Sequence, residues 1–427
     1  MDQMTEVMLE NGMKVHLKEI HTAPIISHWV WYRVGSRYET PGKTGISHWV
    51  EHMQFKGTPL FPAGILDRAI SRDGGVWNAF TYMDWTTFFE TMPASKIDLA
   101  LKLESDRMVN SRYDPEEVAS ERTVVISERE GSENEPLFRL EEAVESAAFE
   151  THPYRNEVIG SIADLNAIQR DDLYNHYRKY YNPSNAVLAI AGDFDTSSIL
   201  ERIRAVYGKL VGSPMAALEL PSEPSLSSEK HIEVHGPGET TFLTLVYRAP
   251  AASDPAFFVM SVLDSLLTGP SSLNMFGGGG ISNKTSRLYR ALIEKELAIS
   301  VSGGLQATHD PYLYSITITG RPDIEPEKVF ARIDEEIGRL QDTKVTQEEI
   351  DRAVKQARAL FAYGSENITN QGFWLGYTEM FDTYTWFSEY VKRLQAVTPE
   401  MVQQAAQTIL NRAARVRGIY LPEGAES

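Results

Sequence analysis

The sequence predicts an α+β fold made of two similar halves, each a mainly antiparallel sheet packed against helices, related by internal duplication. Three observations carry this. Short β-branched or alternating runs such as "TTFFETM" and "YSITITG" read as strands. Segments such as "IDLALKLESDRMV" place apolar residues at three- and four-residue spacing, the period of a helix with one buried face. The stretch "HWVWYRVGSRYETPGKTGISHWVEHM" also resembles "FLTLVYRAPAASDPAFFVMSVLDSLL" further along, so the pattern is used twice.

Each half runs strand, helix, helix, strand, strand, then long helices. In the first half "GISHWVEHMQF" has no Pro or Gly after its first residue and reads as helix, with Ile46, Trp49, Val50, Met53 and Phe55 on an apolar face. A longer helix starts where Asp114 can cap and Pro115 fits the first turn, and runs through "EEVASERTVVISERE". The Pro-, Ser- and Glu-rich stretch from Val211 to Lys230 has no steady period and reads as a linker. The expected organisation is an N-terminal domain over residues 1–212, a linker over 213–229 and a C-terminal domain over 230–427.

Composition narrows the function. A chain of 427 residues with 42% hydrophobic residues buries sizeable cores. No apolar run is long enough to span a bilayer, and the N-terminal stretch shows no signal-peptide pattern. The expectation is a soluble protein of the bacterial cytoplasm or periplasm. The net charge of −18 argues against nucleic acid as a partner. With no cysteine, any metal must be held by His, Asp, Glu or backbone oxygen.

The order His48-Trp49-Val50-Glu51-His52 supplies such donors. Residues four apart on a helix share a face, so His48 and His52 stand one above the other, with Glu51 bordering them. Paired imidazoles suit zinc, and the intervening carboxylate is placed to take a proton from water. This is the inverted zincin pattern H-x-x-E-H. A catalytic zinc usually takes three protein ligands. Glu121 and Glu128 offer a third: they are seven apart, two turns of one helix, in a segment whose "TVVI" core reads as buried. The other histidines considered, His16, His21, His28, His176, His231, His235 and His309, show no ligand spacing and read as surface or core residues.

These residues resemble the pitrilysin/insulinase-type zinc peptidases, nearest the mitochondrial-processing-peptidase-like branch. The resemblance covers nearly the whole chain and rests on "GISHWVEHMQFKGT", "VWNAFTYMDWTTF", "ERTVVISERE", "HPYRNEVIG" and "YYNPSNAVLAIAGDF". It implies that His48, His52 and Glu128 ligate Zn2+, that Glu51 is the general base, and that Glu121 is a supporting carboxylate. It also implies that Asn78, Ala79 and Phe80 lie on an edge strand where a substrate peptide adds by backbone pairing. The second half departs from the pattern: "FVMSVLDSLL" replaces the metal motif. Where active relatives carry an Arg and a Tyr, the block "YRALIEKELAISVSGG" has Ile293 and Ile299.

The resulting expectation is a zinc endopeptidase subunit acting on peptides or unfolded segments. A homologous partner chain supplies the Arg/Tyr pair, giving a heterodimer. Two alternatives stay open: a self-sufficient homodimeric peptidase, and a non-catalytic structural subunit of the core type. The loop "MFGGGGISNKTS" is a near miss to a phosphate-binding loop. By resemblance, Gly277–Gly280 matches a glycine-rich loop that contacts substrate in the non-catalytic subunit of processing peptidases.

Overall fold

The computed structural model describes residues 4–274 and 281–423. The Gly277–Gly280 loop, with its nucleotide and substrate-contact readings, lies outside them. Among the described residues no helix is long and apolar enough to cross a membrane. The chain forms two compact units, each an α+β assembly on a mainly antiparallel sheet, as the sequence predicts.

The first unit comprises Met1–Glu130, Asn156–Leu220 and Ser365–Tyr384. Its strands are β1 (Met4–Met8), β2 (Lys14–Glu19), β3 (Ile25–Tyr32), β4 (Val76–Thr81), β5 (Thr86–Pro93) and β6 (Ala186–Gly192). They lie in the order β1-β2-β6-β3-β5-β4, antiparallel throughout except for the β2/β6 pair. β3 is buried along nearly its whole length, which is why "IISHWVWY" is apolar at both odd and even positions. Helix Ile368–Tyr377 packs on β2, β3 and β6. There Trp29 and Trp31 stack on one another at 5.5 Å and both meet Phe373 edge-on. Gly372 and Gly376 make the approach possible: a Cβ on them would stand 2.6 Å from Trp29 and 2.1 Å from Trp31.

The second unit comprises Gly131–Arg155, Pro221–Gly364 and Thr385–Ser427. Its strands are β7 (Lys230–Gly236), β8 (Phe242–Ala249), β9 (Ala298–Leu305), β10 (Tyr312–Gly320) and β11 (Arg415–Pro422). The order β7-β11-β8-β10-β9, with only β7/β11 parallel, repeats the order β2-β6-β3-β5-β4 of the first unit. The internal duplication is therefore present in the strand topology, and β4 and β9 are equivalent edges. Helix Pro136–Ala148 packs on β7, β8 and β11, with Gly418 of β11 leaving room for Val144 and Leu140.

Each sheet is thus covered by a helix from the other half of the chain: 365–384 joins the first unit and 131–155 the second. One crossing, Leu220–Pro221, falls inside the linker expected at 213–229; the two exchanged segments have no counterpart in a contiguous division.

Candidate metal centre

The helix that carries the paired histidines runs from Ile46 to Met53. It begins at Gly45, which has φ +85° and whose Cβ, if present, would be 2.3 Å from the Ile159 carbonyl oxygen. Only glycine fits a left-handed residue pressed against backbone. The Glu39 carboxylate accepts the Gly45 and Ser47 N–H groups, each at 2.8 Å, and satisfies the helix start. Burial pushes the Glu39 carboxyl up to about 7 against those two hydrogen bonds. Ile46, Trp49, Val50 and Met53 are buried, so the apolar face fixes the rotation of the helix and turns His48 and His52 the other way.

His48 Nε2 and His52 Nε2 lie 3.3 Å apart. Glu128 Oε2, from helix Pro115–Glu133, lies 3.5 Å from His52 Nε2 and 4.0 Å from His48 Nε2. Four donors held tetrahedrally at about 2.0–2.1 Å from zinc stand about 3.3 Å from one another. The three atoms are thus spaced as one zinc ion needs. His52 Nδ1 lies 2.9 Å from Glu121 Oε1, and Glu121 also pairs with Lys56. A carboxylate can only accept here, so Nδ1 carries a proton, and in the neutral ring the Nε2 lone pair is left for a metal. Burial and the neighbouring His52 hold His48 at about 3, so it is a neutral donor. His52 is raised despite burial, because Glu121, Glu51 and Glu128 favour its charged form. The residues present therefore fit zinc in number, type and spacing.

Glu51 is buried, and burial raises its carboxyl to about 7. The Thr81 hydroxyl donates to Glu51 Oε2 at 2.7 Å. Thr81 ends β4, the edge strand that also carries Asn78, Ala79 and Phe80. Asn78 is exposed and accepts the Ala79 N–H through its own side chain, Ala79 is buried, and Phe80 stacks on Phe89.

The acidic helix differs from expectation in one respect. "TVVI" is not a buried core: Val118, Glu121, Val125 and Arg129 are buried, while Thr123 and Glu128 are exposed and Val124 is 48% exposed. Only one narrow stripe packs inward, at spacings of three and four. Two further groups escaped the sequence reading. Thr81 carries only a weak signal, the strand alternation it shares with Ala79. Lys56 carries a better one, since it follows His52 by four residues.

In the second unit, Pro255–Leu267 takes the place of the metal helix and has no histidine. Its buried Asp264 accepts hydrogen bonds from Thr268, Ser271 and Tyr314. Ile299 stands 58% exposed on the edge strand β9, and Glu296 just before it has φ +55°.

The fold agrees with that of known proteins. The family model described as insulinase (peptidase family M16) matches residues 14–161, and that described as peptidase M16 inactive domain matches 167–357. The chain belongs to the pitrilysin/insulinase-type peptidase family M16. It is 26% identical over 411 residues to an uncharacterized zinc protease of Streptomyces coelicolor, covering 95% of this chain and 86% of that one. It is 28% identical over 367 residues to the zinc protease PqqE of Helicobacter pylori, covering 84% and 80%. The crystal structure of a protease from Helicobacter pylori superposes with a TM-score of 0.90 at 25% identity, covering 99% of this chain and 100% of that one.

Proposed function

We propose that this chain is a zinc-dependent endopeptidase subunit that hydrolyses peptides or unfolded segments. The observation that carries the proposal is the convergence of His48 Nε2, His52 Nε2 and Glu128 Oε2 at the mutual spacing of zinc ligands, beside a buried carboxylate. When bound, zinc supplies a Lewis acid that polarises a carbonyl and makes water more acidic. Glu51, held by Thr81, takes the proton of the attacking water and passes it to the leaving amine. Glu121 keeps His52 in the right tautomer and orientation. A substrate strand pairs with the backbone of β4 at Asn78, Ala79 and Phe80, so recognition depends little on sequence.

The oxyanion of the tetrahedral intermediate needs a donor as well. Ile293 and Ile299 cannot serve, since neither side chain has a polar atom. This supports a homologous partner chain that brings an Arg and a Tyr, in a heterodimer. The test is hydrolysis of a quenched fluorescent peptide library by the chain alone and mixed with a homologous chain carrying that pair, with Glu51→Gln as the blank. Activity only on mixing is expected. Full activity of the chain alone, abolished in Glu51→Gln, would favour the homodimeric enzyme; silence in both settings would refute the peptidase reading.

A further inference from the structure

His16 of β2 reads from the sequence as a surface or core residue, and its ring is fully buried. Its surroundings are not those of a core residue. Nδ1 lies 2.9 Å from the Leu375 carbonyl oxygen. A carbonyl can only accept, so Nδ1 carries a proton, and in the neutral ring Nε2 presents a lone pair. That lone pair faces Glu6 Oε2 at 3.1 Å and Glu379 Oε1 at 3.7 Å. The two carboxylate oxygens and the nitrogen all lie within 4.8 Å of one another. Three lone-pair donors converging on one point repel unless a metal ion, or a second ring proton on Nε2, stands between them.

We infer that Glu6, His16 and Glu379 form a second divalent-metal site, separate from the His48/His52/Glu128 centre. The pattern around the donors fits. Metal-bound imidazoles commonly donate their other ring N–H to a backbone carbonyl, as His16 does, and ligating carboxylates are themselves hydrogen-bonded. Glu379 meets this: its far oxygen, Oε2, pairs with Lys14 at 2.9 Å and Arg33 at 3.6 Å, while Oε1, which accepts the Tyr384 N–H at 3.3 Å, is turned toward His16. One imidazole and two carboxylates suit Zn2+ or Mn2+. The Glu6 side chain is 52% exposed, which gives the ion an entry path and leaves positions for water. Glu6 and His16 are direct cross-strand partners in β1 and β2, and Glu379 follows the helix that covers the sheet. The ion would therefore staple the edge strand β1 to β2 and to the 378–380 turn.

The test is a competition titration with a chromophoric chelator, using Zn2+ and then Mn2+, on the whole chain. The wild type is expected to bind two equivalents, and a His48→Ala/His52→Ala chain one. Adding Glu6→Gln to that double variant should weaken the remaining equivalent at least about tenfold. Glu6 is exposed at the sheet edge, so this variant should fold; matching melting curves in EDTA would confirm that. Metal should raise the melting temperature of the double variant and not of the triple. If the double variant binds no equivalent, or if its equivalent survives Glu6→Gln unchanged, the site is refuted and the three groups share a proton instead.

Discussion

Glu121 Oε1 lies 2.9 Å from His52 Nδ1, seven residues before Glu128 on the same helix. One helix thus delivers both a carboxylate that stands beside His52 Nε2 and a carboxylate that orients the same ring through Nδ1. Glu121→Gln keeps the shape but exchanges a charged acceptor for an amide. It should lower zinc affinity about 10–100-fold with an unchanged melting temperature of the metal-free chain. Competition with a chelator reads the first quantity and calorimetry the second. Unchanged affinity would show that Glu121 is only a partner of Lys56.

Thr81 donates to Glu51 and touches no donor of the metal cluster in the described contacts. Removing the hydroxyl frees the Glu51 carboxylate to turn and removes a hydrogen bond that favours its ionised form. In an active assembly, Thr81→Val should lower kcat, by about tenfold, while KM and zinc content hold. The acidic limb of the pH–rate profile should also move up, because Glu51 becomes harder to ionise. Thr81→Ser should restore both. A change in KM alone would assign Thr81 to substrate binding through β4.

Much of this was legible in the sequence. The histidine pair, Glu51 and the two candidate carboxylates follow from helical spacing, because the apolar residues of Ile46–Met53 leave only one orientation for that helix. The duplication was visible in the matching segments. The exchange of 131–155 and 365–384 was not, since a helix covering a sheet has the same period wherever in the chain it originates. The grouping of His16 with Glu6 and Glu379 was equally hidden. Glu6 is its cross-strand partner, but Glu379 lies hundreds of residues away and only the fold brings it there. The burial of the acidic helix was not legible, because four consecutive apolar or β-branched residues suggest a core, whereas on a helix they point to different sides.

Behind the first sheet lies a buried ionic cluster. Arg107 Nε donates to Glu104 Oε2 at 2.7 Å, Glu104 is hydrogen-bonded to Glu90, and Glu90 Oε2 lies 2.9 Å from His28 Nδ1. Burial raises the Glu104 carboxyl well above its ordinary value, with Arg107 opposing. A carboxyl raised in the folded state contributes stability fully below its unfolded value and loses it as pH rises toward the folded value. Glu104→Gln, a neutral mimic, should therefore flatten the fall in stability that sets in as pH rises above the ordinary glutamate range, measured by urea denaturation. Arg107→Met strands carboxylates in the core and should cost about 3–5 kcal/mol. An unchanged pH dependence in Glu104→Gln would place the shared proton elsewhere.

Glu223 gives the opposite sign. Its carboxylate accepts the backbone N–H groups of Glu150, Thr151 and His152 at 2.7, 2.8 and 2.7 Å, and it pairs with Arg248 Nη2 at 2.7 Å. These bonds hold it down at about 2 in spite of burial. A carboxyl depressed in the folded state contributes stability above its unfolded value and loses it as pH falls toward the folded value. The clip should therefore hold at neutral pH and release between the ordinary glutamate range and about 2. Because Glu223 lies in the segment that reads as a linker, its release should expose residues 213–229 to an acid-active protease. Glu223→Gln should make that segment cleavable at neutral pH, with the loss of stability confined to the second unit. Equal resistance of wild type and variant at neutral pH would mean that the apolar and backbone contacts of the segment hold it without the carboxylate.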